Sequence, residues 1–125
     1  MEKRIDEIEI VHWVEDHGEE KYSVEPSREE IEEAITGGNL ETRGFQKDYV
    51  ALVNEWNREA GGNFEKYLRL RRQYHARRIA YFVVHGWTDA VVLHDDQRRV
   101  KEGMHRLKSA KQKGDKTICV GFDQN

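Results

Sequence analysis

Hydrophobic positions recur at helical spacing through the middle of this chain and at strand spacing toward both ends. Ile8, Ile10, His12 and Val14 alternate weakly with Glu9, Val11 and Trp13, which predicts a strand over residues 5–14 that Asp16-His17-Gly18 breaks. Ser27 and Glu30 have the spacing of a capping box, with Pro26, the one proline, just before it. Ile31, Ala34 and Ile35 follow at helical spacing, and Gly37-Gly38 ends the helix. Tyr49, Leu52, Val53 and Trp56 form an amphipathic stripe, predicting a second helix over 45–60 that Gly61-Gly62-Asn63 stops. Phe64, Tyr67 and Leu68 open a third periodic segment that runs without a breaker through Ala76, Ile79, Ala80 and Val83. It reads either as one long helix or as two with a bend near Tyr74, ending at Gly86.

The texture changes after Gly86. The β-branched run 89–94 reads as a buried strand, Asp95-Asp96 as a turn and 98–101 as a second short strand. Met104, Leu107 and Ala110 predict a helix over 104–113, and Ile118, Val120 and Phe122 alternate with Thr117 and Cys119 in a closing strand. The expected class is α+β, a small mixed sheet with several helices.

Composition narrows this reading in three ways. A chain of 125 residues is long enough for one domain with a modest core, and twelve aromatic residues argue against disorder although 36 % of the chain is charged. No apolar stretch approaches the roughly 18 residues of a membrane span, and the first residues lack the apolar core of a signal peptide. With a single cysteine, Cys119, no internal disulfide is expected, and the simplest location is cytoplasmic, without a membrane partner. Cys119 reads as a small buried hydrophobe rather than a nucleophile. Residues 1–33 carry 13 acidic and 4 basic side chains against 11 and 17 in residues 34–125. An acidic front on a basic body either steers and shields an anion site, meets a basic partner, or is an ordinary solvated face.

The densest candidate chemistry is Glu102-Gly103-Met104-His105-Arg106. Gly103 permits a tight turn and close approach of a ligand to the backbone. The amides of Met104, His105 and Arg106 would be unpaired first-turn donors at the positive end of the helix dipole. Arg106 offers a planar fork for phosphate or carboxylate oxygens, and His105 a donor or an acid near neutral pH. Glu102 is available as a base, as a contact to magnesium, or as an acceptor fixing the loop. The alternative is plainer: a tolerated glycine at a helix start, followed by two surface residues.

The surrounding order is helix, Gly, strand, turn, strand, Gly-x-His-Arg, helix, Gly, strand. It reads Arg78-Ile-Ala-Tyr-Phe-Val-Val-His-Gly86, Thr88-Asp-Ala-Val-Val-Leu93, Val100-Lys-Glu-Gly-Met-His-Arg-Leu-Lys-Ser-Ala110 and Lys113-Gly-Asp-Lys-Thr-Ile-Cys-Val120. This block resembles the ParB/sulfiredoxin superfamily, and especially its small stand-alone ParB-like members of phages and bacteria. The resemblance implies a ParB/sulfiredoxin-like core over about 75–122, with an acidic strand–helix segment 1–38 and a helical insert 45–74 within a single domain 1–125. It implies a nucleotide as ligand, its phosphates on Gly103, Met104, His105 and Arg106, with Glu102 and His105 as the catalytic candidates. The implied cofactor is a nucleoside triphosphate with Mg2+, without zinc or haem. Activities in the superfamily include a nucleotide-driven DNA clamp, sulfinic-acid reduction, small-molecule and base kinases, and nucleases. Two of these uses fit poorly: Met104 stands where sulfiredoxins carry their cysteine, and no helix-turn-helix follows residue 122. Glu102 stands where Asp is usual.

Other features point less specifically. Histidines at 12, 17, 75, 85, 94 and 105 show no metal-ligand pair such as His-x-x-x-His, and with one cysteine no zinc site is expected. Asp95-Asp96 reads as a polar turn before it reads as a magnesium site. Lys66, Arg69, Arg71, Arg72, Arg77 and Arg78, with Tyr67, Tyr74 and Tyr81 interleaved, form a basic run that suits nucleic-acid backbone and stacked bases, or equally an exposed helix face. Trp13, Trp56 and Trp87 read as core or interface anchors. Three functions follow: a nucleotide-binding protein with hydrolysis or phosphoryl transfer, a non-catalytic phage-encoded inhibitor of a host protein complex, and a DNA-binding protein or nuclease.

Overall fold

A computed structural model describes residues 1–122. It is α+β, and its contacts divide the described residues into two compact units, one of residues 1–11 with 82–122 and one of residues 12–81. The acidic segment read as one piece, 1–38, is therefore shared between both units.

The first unit is built on a four-stranded sheet of order β1-β6-β4-β5, comprising β1 (Glu2–Arg4), β4 (Val91–Leu93), β5 (Val100–Glu102) and β6 (Thr117–Phe122). β1 and β5 run antiparallel to their neighbours, whereas β4 and β6 are parallel, with Val91 opposite Val120. Parallel neighbours need a crossover, and α4 (Met104–Lys113) provides it. Leu107 and Ala110 of α4 are buried on Val91, Leu93, Ile118, Val120, Ile5 and Ile8 in one apolar core.

The expected strand over 5–14 is absent. Ile5–Glu7 forms one turn of 3-10 helix instead, which brings Ile5 and Ile8 to the same side because residues three apart eclipse in that geometry. Pairing falls before it, at β1, and after it in a separate hairpin. The closing strand alternates as expected, with Ile118 and Val120 buried. Cys119, expected inside, is exposed, because a two-residue period places it on the opposite face.

The second unit holds the hairpin β2 (Val14–His17)–β3 (Glu20–Ser23), helices α1 (Arg28–Gly37) and α2 (Tyr49–Ala60), and most of α3 (Phe64–His85). The capping box of α1 is complete: Ser27 Oγ accepts from the Glu30 amide at 3.1 Å, and Glu30 Oε1 accepts from the Ser27 amide at 3.0 Å. α2 begins at Tyr49 rather than 45, because residues 45–48 form a turn in which Asp48 accepts from the Gly44 amide at 3.1 Å. α3 is one helix of 22 residues. Leu52, Trp56, Ala60, Tyr67 and Tyr74 form the core of this unit. No helix among the described residues is long and apolar enough to cross a membrane.

Removing the serine hydroxyl of the capping box leaves the Glu30 amide without its side-chain acceptor. Ser27→Ala is expected to destabilise the second unit by about 1 kcal/mol. Chemical denaturation followed by circular dichroism checks this, and an unchanged midpoint would show the box to be dispensable.

Candidate functional site

The short sequence between β5 and α4 is shaped by Gly103. Its φ of 107° lies in a region that side-chain-bearing residues rarely enter, and it serves as N-cap without any side-chain acceptor on the first-turn amides. No acidic residue lies in that first turn. The amides of Met104, His105 and Arg106 thus open a helix that has neither an N-cap side-chain bond nor an acidic residue in its first turn.

Arg106 folds back over this glycine. A Cβ placed on Gly103 would stand 2.8 Å from Arg106 Nη2 and 3.1 Å from its Cζ and Nε. The guanidinium is held from the other side, where Nη1 donates to the carbonyls of Asp89 at 2.8 Å and Ala90 at 3.2 Å, just before β4. Arg106 therefore spends one nitrogen on anchoring, while Nε and Nη2 lie over the glycine. A guanidinium with one fixed edge is a pre-oriented fork for an oxyanion.

The remaining motif residues have different surroundings. Glu102 ends β5 with an exposed side chain, opposite Val92. Met104 is half-buried and packs on the core of the first unit, so its side chain is structural and only its amide is available to a ligand. His105 is half-buried, and its carbonyl accepts from Ser109 Oγ at 2.6 Å, which ties down the first turn. A cleft of about 410 Å³ in this unit is lined by Lys3, Asp6, Glu7, Ile8 and Arg98 and includes none of the motif. That is no objection, because anions at helix starts are held by surface amides rather than in closed cavities.

The Asp95-Asp96 turn is structural. Asp96 accepts from the amides of Arg98 at 2.9 Å and Arg99 at 3.0 Å and from Arg99 Nε at 2.6 Å, and these donors hold its carboxyl far below the usual carboxylate range. Among the described residues, no three acidic, histidine or cysteine side chains converge as a metal site.

The basic run on α3 is not one exposed face. Arg71 is buried, paired with Glu15 and placed 5.5 Å from the centre of the Phe45 ring, and burial works against its charge. Arg72 donates from Nε to Glu30 at 3.0 Å. Arg78 donates to the carbonyls of Glu41 at 3.2 Å and Thr42 at 3.0 Å. Of the four arginines expected to meet nucleic acid, only Arg77 is fully exposed. Tyr67 and Tyr74 are buried, and Tyr74 donates to the Arg43 carbonyl at 2.7 Å while burial raises its hydroxyl above its ordinary pKa. Neither ring is a platform for bases.

Comparison with family models, with curated proteins and with solved structures returned no match. The likeness to the ParB/sulfiredoxin superfamily therefore rests on the motif and its spacing. What sequence reasoning missed is the anchoring of Arg106 by Asp89 and Ala90, since backbone carbonyls carry no residue-type signal.

Gly103→Ala would require both a left-handed alanine and displacement of the guanidinium. A loss of about 1–3 kcal/mol is expected, since strained backbone and steric conflict add. Urea titration checks this; a variant as stable as the parent would mean that the loop relaxes freely.

Proposed function

We propose that the start of α4 binds the phosphates of a nucleotide, with hydrolysis or phosphoryl transfer as the chemistry it would support. The observation that supports this reading is the Gly103–Arg106 contact: a helix start without a side-chain cap, with a guanidinium fork fixed in the space that a side chain at residue 103 would fill. The amides of Met104, His105 and Arg106 would take phosphate oxygens, and Arg106 would clamp them. His105 would orient or protonate the transferred group. Magnesium arriving with a nucleotide would be held mainly by the phosphates, with the exposed Glu102, directly before Gly103 in the sequence, as the candidate carboxylate. Such chemistry rests mostly on positioning and electrostatics, so few side chains suffice.

Calorimetry with nucleoside tri- and diphosphates and magnesium tests this. Arg106→Ala should weaken binding at least about tenfold, since hydrogen bonds to charged groups contribute about 1.5–3 kcal/mol. Arg106→Lys should recover only part of it, because an ammonium lacks the fork. Absence of heat with every nucleotide sinks the reading.

A second reading, binding to a basic partner without catalysis, is favoured by the exposed Asp16, Glu19 and Glu20 of the hairpin and Glu29, Glu32 and Glu33 of α1. Charge reversal at Glu29, Glu32 and Glu33 should then abolish capture of a basic protein such as a histone. Capture at undiminished affinity would dismiss it.

A further inference from the structure

His75 is fully buried in the second unit, in the middle of α3. Its ring stacks on Trp13 with centroids 3.9 Å apart and planes 13° from parallel. Phe45 lies 5.3 Å away and Tyr74 another 5.3 Å, so the imidazole is enclosed by three aromatic rings. Trp13 directly precedes β2, and its backbone ties into the far end of the hairpin: its carbonyl accepts from Val24 at 3.0 Å and its amide donates to Glu25 at 3.0 Å.

The hairpin and Trp13 before it meet three residues of α3, namely Phe64, Arg71 and His75. Trp13 stacks on His75, Glu15 pairs with Arg71, and His17 and Tyr22 both rest on Phe64, at 4.5 and 5.1 Å. We propose that the Trp13–His75 stack is an acid-operated latch: protonation of His75 releases the hairpin of residues 12–23 from α3. This goes beyond the phosphate site and does not depend on it.

The sign follows from burial. A buried imidazole is accommodated neutral, because a charged one would lose its hydration. The charged groups around the stack do not reverse this. Arg71, one helical turn before His75, adds a positive charge that opposes a second one, and its partner Glu15 is committed to it. Around Tyr74 stand Arg43 and Arg78 as cations and Glu41 and Asp48 as anions. Glu25 accepts from the Trp13 amide at 3.0 Å and keeps its charge, but it is only half-buried and solvent screens it. An imidazolium over the indole face would gain some cation–π attraction, but less than full desolvation of the ion costs. Two exposed histidines also lie in the segment, His17 against Phe64 and His12 with its Nε2 2.7 Å from Ser23 Oγ, and a variant that removes only the His75 imidazole separates them from the latch.

The open form therefore binds a proton that the closed form excludes. Stability of the closed form is complete above the free-histidine pKa of about 6.5 and declines as pH falls through it. Between about pH 7.5 and about pH 5.5 the hairpin-open population should rise about tenfold.

Hydrogen exchange of the full chain, corrected for intrinsic rates, reads this directly. Protection of residues 14–23 should fall about tenfold across that interval while residues 52–60 of α2 hold theirs. His75→Phe, which keeps an aromatic ring but cannot charge, should make the hairpin insensitive to pH. Three results would overturn the latch: unchanged hairpin protection in the parent, parallel loss in α2, or the same pH response in His75→Phe. Should that variant fail to fold, an NMR titration of His75 in the parent decides. An imidazolium coexisting with protected hairpin amides refutes the proposal, and a ring that charges only as those amides open supports it.

Discussion

Much of the first unit follows from the parallel pairing of β4 with β6. Two parallel neighbours cannot be joined by a tight turn, so the chain must cross from one end of the sheet to the other, and α4 makes that crossing with its apolar face on the strands. The crossing places the start of α4 directly after edge strand β5, where the chain must turn sharply, and Gly103 provides the turn. It also brings Arg106 within reach of the carbonyls that lead into β4, sixteen and seventeen residues back in the chain. Topology, glycine geometry and the anchored guanidinium are thus linked. Moving the parallel pair would dismantle all three.

The second unit handles charge differently. Its helix α3 is rich in arginine, yet two of those side chains serve the interior: Arg71 lies beneath Phe45 with Glu15 as counter-ion, and Arg78 spans carbonyls of the segment before α2. Burying such groups is costly unless their donors are paired: Glu15 and the Phe45 face meet Arg71, whose Nε is left without an acceptor, and backbone oxygens meet Arg78. The arrangement concentrates polar and titratable groups within an aromatic interior, with His75 the histidine that lies fully inside it.

The phosphate reading and the superfamily resemblance share the five residues 102–106, although the resemblance also draws on the ordered block around them, and the two are not independent of one another. What the three-dimensional arrangement contributes separately is the position of Arg106 over Gly103. A helix start without a side-chain cap is common, and a guanidinium held above one by two backbone oxygens is a more specific feature.

Periodicity alone was enough to place α1, α4 and β6, and local chemistry was enough for the capping box and the Asp96 turn, because each depends on residues within a few positions of one another; for α3 it left one helix or two open. The α+β class followed from the same local patterns. Only tertiary structure decided the rest. It replaced the expected strand at 5–14 by a 3-10 turn, since burial of Ile5 and Ile8 in a core outweighed a weak alternation. It set Cys119 outward, buried Arg71 and Tyr74, and enclosed His75. For the motif, residue types indicated an anion cradle, but they could not reveal what holds Arg106. That depends on backbone oxygens brought close by strand pairing, and main-chain groups are the same whatever the sequence.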